Sequence, residues 1–132
     1  MFEDGLQQRD FVHVHDVARC CRLALECPDA GGRVFNVGSG RAVNILQVAQ
    51  EVSAVLNCGD LMPEVTQRYR VGDIRHCFAD ISQARRVLGY EPQVSFQEGL
   101  TELAGWLEGQ LEFDGDGAER AKEELHARGL VV

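Results

Sequence analysis

Few residues in this chain have the types and spacing that chemistry needs. Gly38-Ser39-Gly40-Arg41-Ala42-Val43 begins like the glycine fingerprint that seats a dinucleotide pyrophosphate. Val43 stands where the third glycine belongs. The acidic residue expected about 20 positions further on is replaced by Asn57 to Gly59, with Asp60 a loose candidate. The segment therefore reads as a structural turn. His13 and His15 are two apart and share one face of an extended segment, with Asp16 beside them. Two imidazoles can begin a metal site, but the sequence shows no well-placed third ligand, so none is assigned. No Ser/His/Asp or Cys/His nucleophile set follows from spacing. What remains are groups whose chemistry suits a ligand but whose spacing does not single them out: Arg9 precedes a strand, and Arg70 and Asp73 flank a turn glycine. A guanidinium can match phosphate oxygens two at a time, and a carboxylate can accept from paired hydroxyls. Asn36 stands at a strand end. For each there is a plainer reading: a surface arginine, a loop ion pair, an asparagine that satisfies a turn.

These groups sit in a chain of 132 residues, which fits one domain. With 45% hydrophobic and 26% charged residues, it is composed like an ordinary globular protein. The formal net charge of −8 argues against nucleic-acid binding, which needs clustered Lys and Arg. A small anionic ligand is still compatible, because a few arginines make a local positive pocket. Cys20, Cys21, Cys27, Cys58 and Cys77 are odd in number and irregular in spacing, with no C-x-x-C pair. They read as reduced thiols of a cytoplasmic protein. No signal peptide and no apolar run of about 18 residues is present, so no membrane partner is expected.

The elements that must position these residues alternate. Phe11-Val12-His13-Val14 is a β-prone run, and Asp16 stands where a helix N-cap is wanted. Val17, Cys20, Cys21, Ala24 and Leu25 then recur at helical spacing, until Pro28 to Gly32 break the pattern. Residues 33–37 read as a second strand. Asn44 caps a helix with Ile45, Val48, Ala49, Val52, Val55 and Leu56 on one face, closed by Asn57 and Gly59, the latter suited to the left-handed position. A turn at Gly72-Asp73 leads to a short strand within 74–79. Asp80 or Ser82 opens a short helix that Gly89 ends. After Pro92 a further helix carries Phe96, Leu100, Leu103 and Leu107 inward, with Trp106 near its end. Phe113 to Gly117 reads as a linker and 118–128 as a last helix. This order is α/β. Two or three strands rarely make a self-sufficient sheet, so the chain reads as part of a larger fold.

Three patterns occur in series. The first is Gln8-Arg9-Asp10-Phe11-Val12-His13-Val14 followed by Asp16-Val17-Ala18. The second is Phe35-Asn36-Val37-Gly38-Ser39-Gly40 followed by Asn44. The third is Arg70-Val71-Gly72-Asp73-Ile74-Arg75, then Ala79-Asp80-Ile81-Ser82, Leu88-Gly89-Tyr90-Glu91-Pro92, Glu98-Gly99-Leu100 and Trp106. Together they resemble the C-terminal part of NAD-dependent sugar-nucleotide epimerases and dehydratases, the extended short-chain dehydrogenase/reductases similar to UDP-glucose 4-epimerase. The resemblance implies partial Rossmann-type sheet elements plus the small C-terminal substrate-binding domain. Residues 1–110 would be the sugar-nucleotide-binding portion, and 111–132 a linker and C-terminal helix. It implies that Arg9 and Arg70 contact the diphosphate of a nucleotide sugar, that Asp73 reaches the ribose, and that Asn36 touches the nucleotide. NAD would belong to the complete enzyme and not to this chain alone.

The family's catalytic parts are a glycine-rich loop and a Tyr-x-x-x-Lys pair, and neither occurs here. No G-x-x-G-x-x-G is present, Tyr69 and Tyr90 have Asp73 and Val94 four residues on, and the one lysine is Lys122. The chain alone is therefore expected to be inactive. An N-terminal Rossmann half or a second copy of the chain is the expected partner. The alternative is a non-catalytic interaction or regulatory module that kept the scaffold.

Overall fold

The structure, a computed structural model, describes residues 1, 3–61, 63–110 and 117–129. Its elements in order are β1 (Gln8–Asp10), α1 (Val14–Glu26), β2 (Ala42–Asn44), α2 (Ile45–Val55), β3 (His76–Cys77), α3 (Ser82–Leu88), α4 (Phe96–Glu108) and α5 (Gly117–Ala127), with a 3-10 turn at Pro28–Ala30. The sheet is small and mixed, in the order β2-β1-β3. β1 runs antiparallel to β2, with Arg9 opposite Val43, and parallel to β3, with Arg9 opposite Cys77. The class is α/β, as expected.

The helix ends follow local rules. Asn44 accepts from the Gln47 amide at 2.8 Å while Gln47 returns a bond to the Asn44 amide, a reciprocal capping box. Ser95 and Glu98 do the same for α4. Gly89 ends α3 at φ +64°, where a side chain would be strained. At the end of α2 the left-handed residue is Asn57, with φ +54°, in place of Gly59. Asn is the other residue type that tolerates this region.

The strands differ more from expectation. The ladder uses residues 8–10 instead of 11–14, because its partners at 42–44 and 76–77 lie beside that segment. His13 caps α1, its Nδ1 accepting from the His15 amide at 3.3 Å. Asp16 is free for another task. It is 1% exposed and binds the backbone amides of Gln93 at 3.0 Å and Val94 at 3.1 Å, and Arg19 at 2.7 Å. Residues 33–37 form no strand. A β-prone run needs a neighbour to pair with, and none lies beside it among the described residues; Val34 is 84% exposed.

The core lies between α1 and α3. Cys20, Ile81, Ala84, Leu88 and Tyr90 are buried, with Phe35, Val37 and Ala79 packed against them. Tyr90 donates its hydroxyl to the Gly38 carbonyl at 2.9 Å. α2 faces α4 and buries no residue completely. Leu103, Trp106 and Leu107 on α4 stay substantially exposed, against the expectation that the leucines point inward. Of the expected linker, Phe113 to Gly117, residues 113–116 lie outside the described residues and Gly117 begins α5.

Candidate functional site

β1 projects successive side chains to opposite faces. Arg9 goes one way. Its guanidinium reaches the Asp73 carboxylate at 3.2 Å and donates to the backbone carbonyls of Gln8 at 2.8 Å and Arg75 at 3.0 Å. Asp73 is placed by a turn in which its amide donates to the Arg70 carbonyl at 3.1 Å and Gly72 takes φ +82°. Arg70 heads that turn. Three of the four residues singled out in the sequence are thus brought together: Arg9 touches Asp73, and Arg70 shares Asp73's turn. The Arg9 and Asp73 side chains are 27% and 36% exposed, open to a ligand yet fixed by the strand and turn behind them.

Asn36 is placed differently. It is exposed, and its amide donates to the Asp80 carbonyl at 3.4 Å, the backbone-satisfying contact that is the plainer reading of an asparagine there. Arg75 turns away from Arg9 and pairs with Glu3 at 2.7 Å and Asp4 at 2.8 Å. Its hydrogen bond to Asp4 is the main reason that the Asp4 carboxyl is held below its ordinary range and the Arg75 guanidinium above its own.

Asp10 points to the other side of β1, a placement the sequence did not signal. Its carboxylate accepts from the Ser39 amide at 2.7 Å, the Ser39 hydroxyl at 2.6 Å and the Ala79 amide at 3.4 Å. Gly38 lies so close that a Cβ there would collide with Asp10 Oδ2 and meet Ala79 Cβ at 2.8 Å. This defines the Gly38-Ser39-Gly40 loop. The Ser39 amide, a donor that a phosphate would need, already faces a carboxylate. The loop does not fit a dinucleotide.

Beside the start of α1 lies a cleft of about 340 Å³, walled by Phe11, Val94, Phe96, Leu100, Leu103 and Trp106. Phe11 and Phe96 pack with ring centroids 5.1 Å apart. On its rim, His13, His15 and Glu102 gather one ligand atom each within 4.8 Å of one another. Glu102 is the third partner that the sequence could not show, because α4 brings it from far along the chain. No described helix is long and apolar enough to cross a membrane.

The family model for GDP-mannose 4,6 dehydratase matches residues 2–103. The dTDP-L-rhamnose 4-epimerase of Burkholderia thailandensis is 36% identical over 112 residues, which are 85% of this chain and 30% of that protein. The UDP-glucose 4-epimerase of Thermotoga maritima, solved with UDP-glucose, superposes with a TM-score of 0.76 at 35% identity, covering 85% of this chain and 35% of that one. MoeE5, solved with UDP-glucuronic acid and NAD, gives a TM-score of 0.73 at 34% identity, covering 84% and 36%. The chain spans about a third of the length of these relatives. With the family model covering most of its length and the fold in agreement, the chain belongs to the NAD-dependent nucleotide-sugar epimerases and dehydratases of the extended short-chain dehydrogenase type.

Proposed function

We propose that this chain is the C-terminal, nucleotide-sugar-binding portion of an NAD-dependent epimerase or dehydratase. The observation that carries the reading is the meeting of Arg9 and Asp73 at 3.2 Å, from positions 64 apart in sequence, on a half-exposed surface. A nucleoside diphosphate fits this pair. Arg9, with Arg70, takes phosphate oxygens through charge-assisted bonds, and Asp73 accepts from ribose hydroxyls. Asn36 would need to leave the Asp80 carbonyl to reach the nucleotide, and its part is the smallest. The relatives solved with UDP-glucose and with UDP-glucuronic acid support the substrate class. NAD, the glycine loop and the Tyr-x-x-x-Lys pair would come from a partner region, on a longer form of this polypeptide or on another one. Exposed Leu25, Val34 and Trp106 are the surface that such a Rossmann half, or a second copy of the chain, would cover.

The test is an amide NMR titration of the 132-residue chain with UDP-, dTDP- and GDP-sugars, repeated with Arg9→Ala. Loss of one charged hydrogen-bonding group costs about 1.5–3 kcal/mol, so affinity in the variant should fall about tenfold or more. Saturable shifts of equal affinity in both proteins would remove Arg9 from the site. The apolar cleft favours the second reading, a non-catalytic interaction module, and absence of shifts with every ligand would move the weight to it.

A further inference from the structure

We infer that His13, His15 and Glu102 form a site for a divalent transition-metal ion of the zinc class, clamping the start of α1 to α4. The separation of His13 Nε2 and Glu102 Oε2 is 3.4 Å. Ligands about 2.0–2.1 Å from a tetrahedral ion stand about 3.3–3.4 Å from one another, so this pair already has the spacing of two zinc ligands. His15 stands close by, its ring centroid 4.9 Å from that of His13. All three ligand atoms fall within 4.8 Å of one another, and the His15 side chain is exposed, with room to turn.

The His13 ring is set in place. Its side chain is 13% exposed, and α4 is shaped around it: a Cβ on Gly99 would meet His13 Cδ2 at 3.0 Å. Glu102 lies one turn beyond Gly99 on α4, so the helix that makes room for the imidazole also delivers the carboxylate. Two imidazoles and one carboxylate suit a borderline ion such as zinc or cobalt better than magnesium or calcium, which take all-oxygen sets. The ligand set leaves one net positive charge in a chain that is otherwise acidic. A fourth position is left for water at the mouth of the apolar cleft.

Binding carries a definite rearrangement. His13 Nδ1 accepts from the His15 amide, so the neutral ring carries its proton on Nε2, facing Glu102. The ion takes that place, the proton moves to Nδ1, and the His15 amide turns from the ring to water. The 3.3 Å cap is long and partly solvated, so its loss is small beside three metal bonds.

The experiment uses the whole chain with Co²⁺ or Zn²⁺ as the only added ligand, in the parent and in Glu102→Gln and His15→Asn. Both substituted residues are exposed, so both variants should keep the parent far-UV circular dichroism. A saturable four-coordinate Co²⁺ absorption band is expected. So are a rise in melting temperature with Zn²⁺ and a shift of the His15 amide resonance. In either variant affinity should weaken about tenfold or more, and the melting shift should vanish. A band that persists unchanged in both variants would put the ion on the cysteines and overturn the inference. So would a parent chain whose Co²⁺ spectrum and melting temperature do not move.

Discussion

Asp16→Ala should be strongly destabilising. The carboxylate is 1% exposed and is the acceptor for the amides of Gln93 and Val94, both of which belong to the segment that leads into α4. Alanine leaves two part-buried N–H donors without their partner, at about 1–3 kcal/mol each, and adds a small void. Arg19 is affected less. It also donates to the Glu91 carbonyl and lies over the Tyr90 ring at 5.7 Å. The sum is about 3–5 kcal/mol, against a total stability of about 5–15 kcal/mol for a domain of ordinary size. With a urea slope of about 1–3 kcal/mol per molar, the unfolding midpoint should fall by about 1–5 M. Far-UV circular dichroism across a urea series measures it. A midpoint shift equivalent to less than about 1 kcal/mol would refute the idea that this carboxylate fastens the 93–94 segment to α1.

The same residue gives an acid signature of fixed sign. Burial alone pushes the Asp16 carboxyl up, but Arg19 and the Val94 and Gln93 amides outweigh it and hold the group below its ordinary value of 3.8. The unfolded chain therefore takes up the proton first as pH falls. The stabilisation is complete above pH 3.8 and is lost as pH drops from there through the lower folded value. Asp16→Asn should be less stable than the parent at neutral pH and should show a shallower fall in this acid range. An equal slope in both proteins would assign the acid loss to other carboxylates.

Tyr90 titrates at the other end. Burial first, then the negative charge of Asp16, pushes its phenol up to about 12 from an ordinary 10.0, so its stabilisation is intact below pH 10.0 and is lost as pH rises from there towards 12. Tyr90→Phe should cost about 1–2 kcal/mol at neutral pH, because the Gly38 carbonyl loses its donor, and should flatten the alkaline loss; urea melts on both sides of pH 10.0 test it. Gly38→Ala should cost about 1–3 kcal/mol through the clash of its Cβ with Asp10 and Ala79. A Gly38→Ala chain that melts with the parent would mean that the loop yields freely.

What could be read from the sequence divides by distance along the chain. The Asn44 cap and the helix stop at Gly89 act within about four residues of themselves, so the sequence alone locates them. The strands do not. Residues 33–37 have the composition of a strand and no neighbour to pair with among the described residues, whereas Gln8–Asp10, less β-prone, lies between two partners and becomes the centre of the sheet. Leu103 and Leu107 on α4 stay exposed for a related reason, since helical periodicity shows which residues want cover but not whether cover is present. The site shows the same limit. Arg9, Arg70 and Asp73, the residues proposed for the nucleotide, stand out through family motifs. Asp10 lies in one of the same motifs, but its partners Ser39 and Ala79, like the histidines near Glu102, lie far away in sequence, and no local pattern marks those contacts.

β1 joins these levels. It is three residues long, and two of its side chains have opposite duties: Arg9 turns to Asp73, and Asp10 turns to the Ser39 loop. Side chains alternate along a strand, so a slip of one position would turn each to the other face. A slip one way would set a carboxylate against Asp73 and the proposed diphosphate; a slip the other way would drive a guanidinium into the space beneath Gly38. Neither is tolerable, the first for charge and the second for volume. The two Ser39 bonds and the absent Cβ of Gly38 hold Asp10 on its side, and by that they fix Arg9 on the other. The glycine loop that resembles a phosphate cradle thus bears on the proposed anion binding only at one remove: it sets the register that presents the arginine.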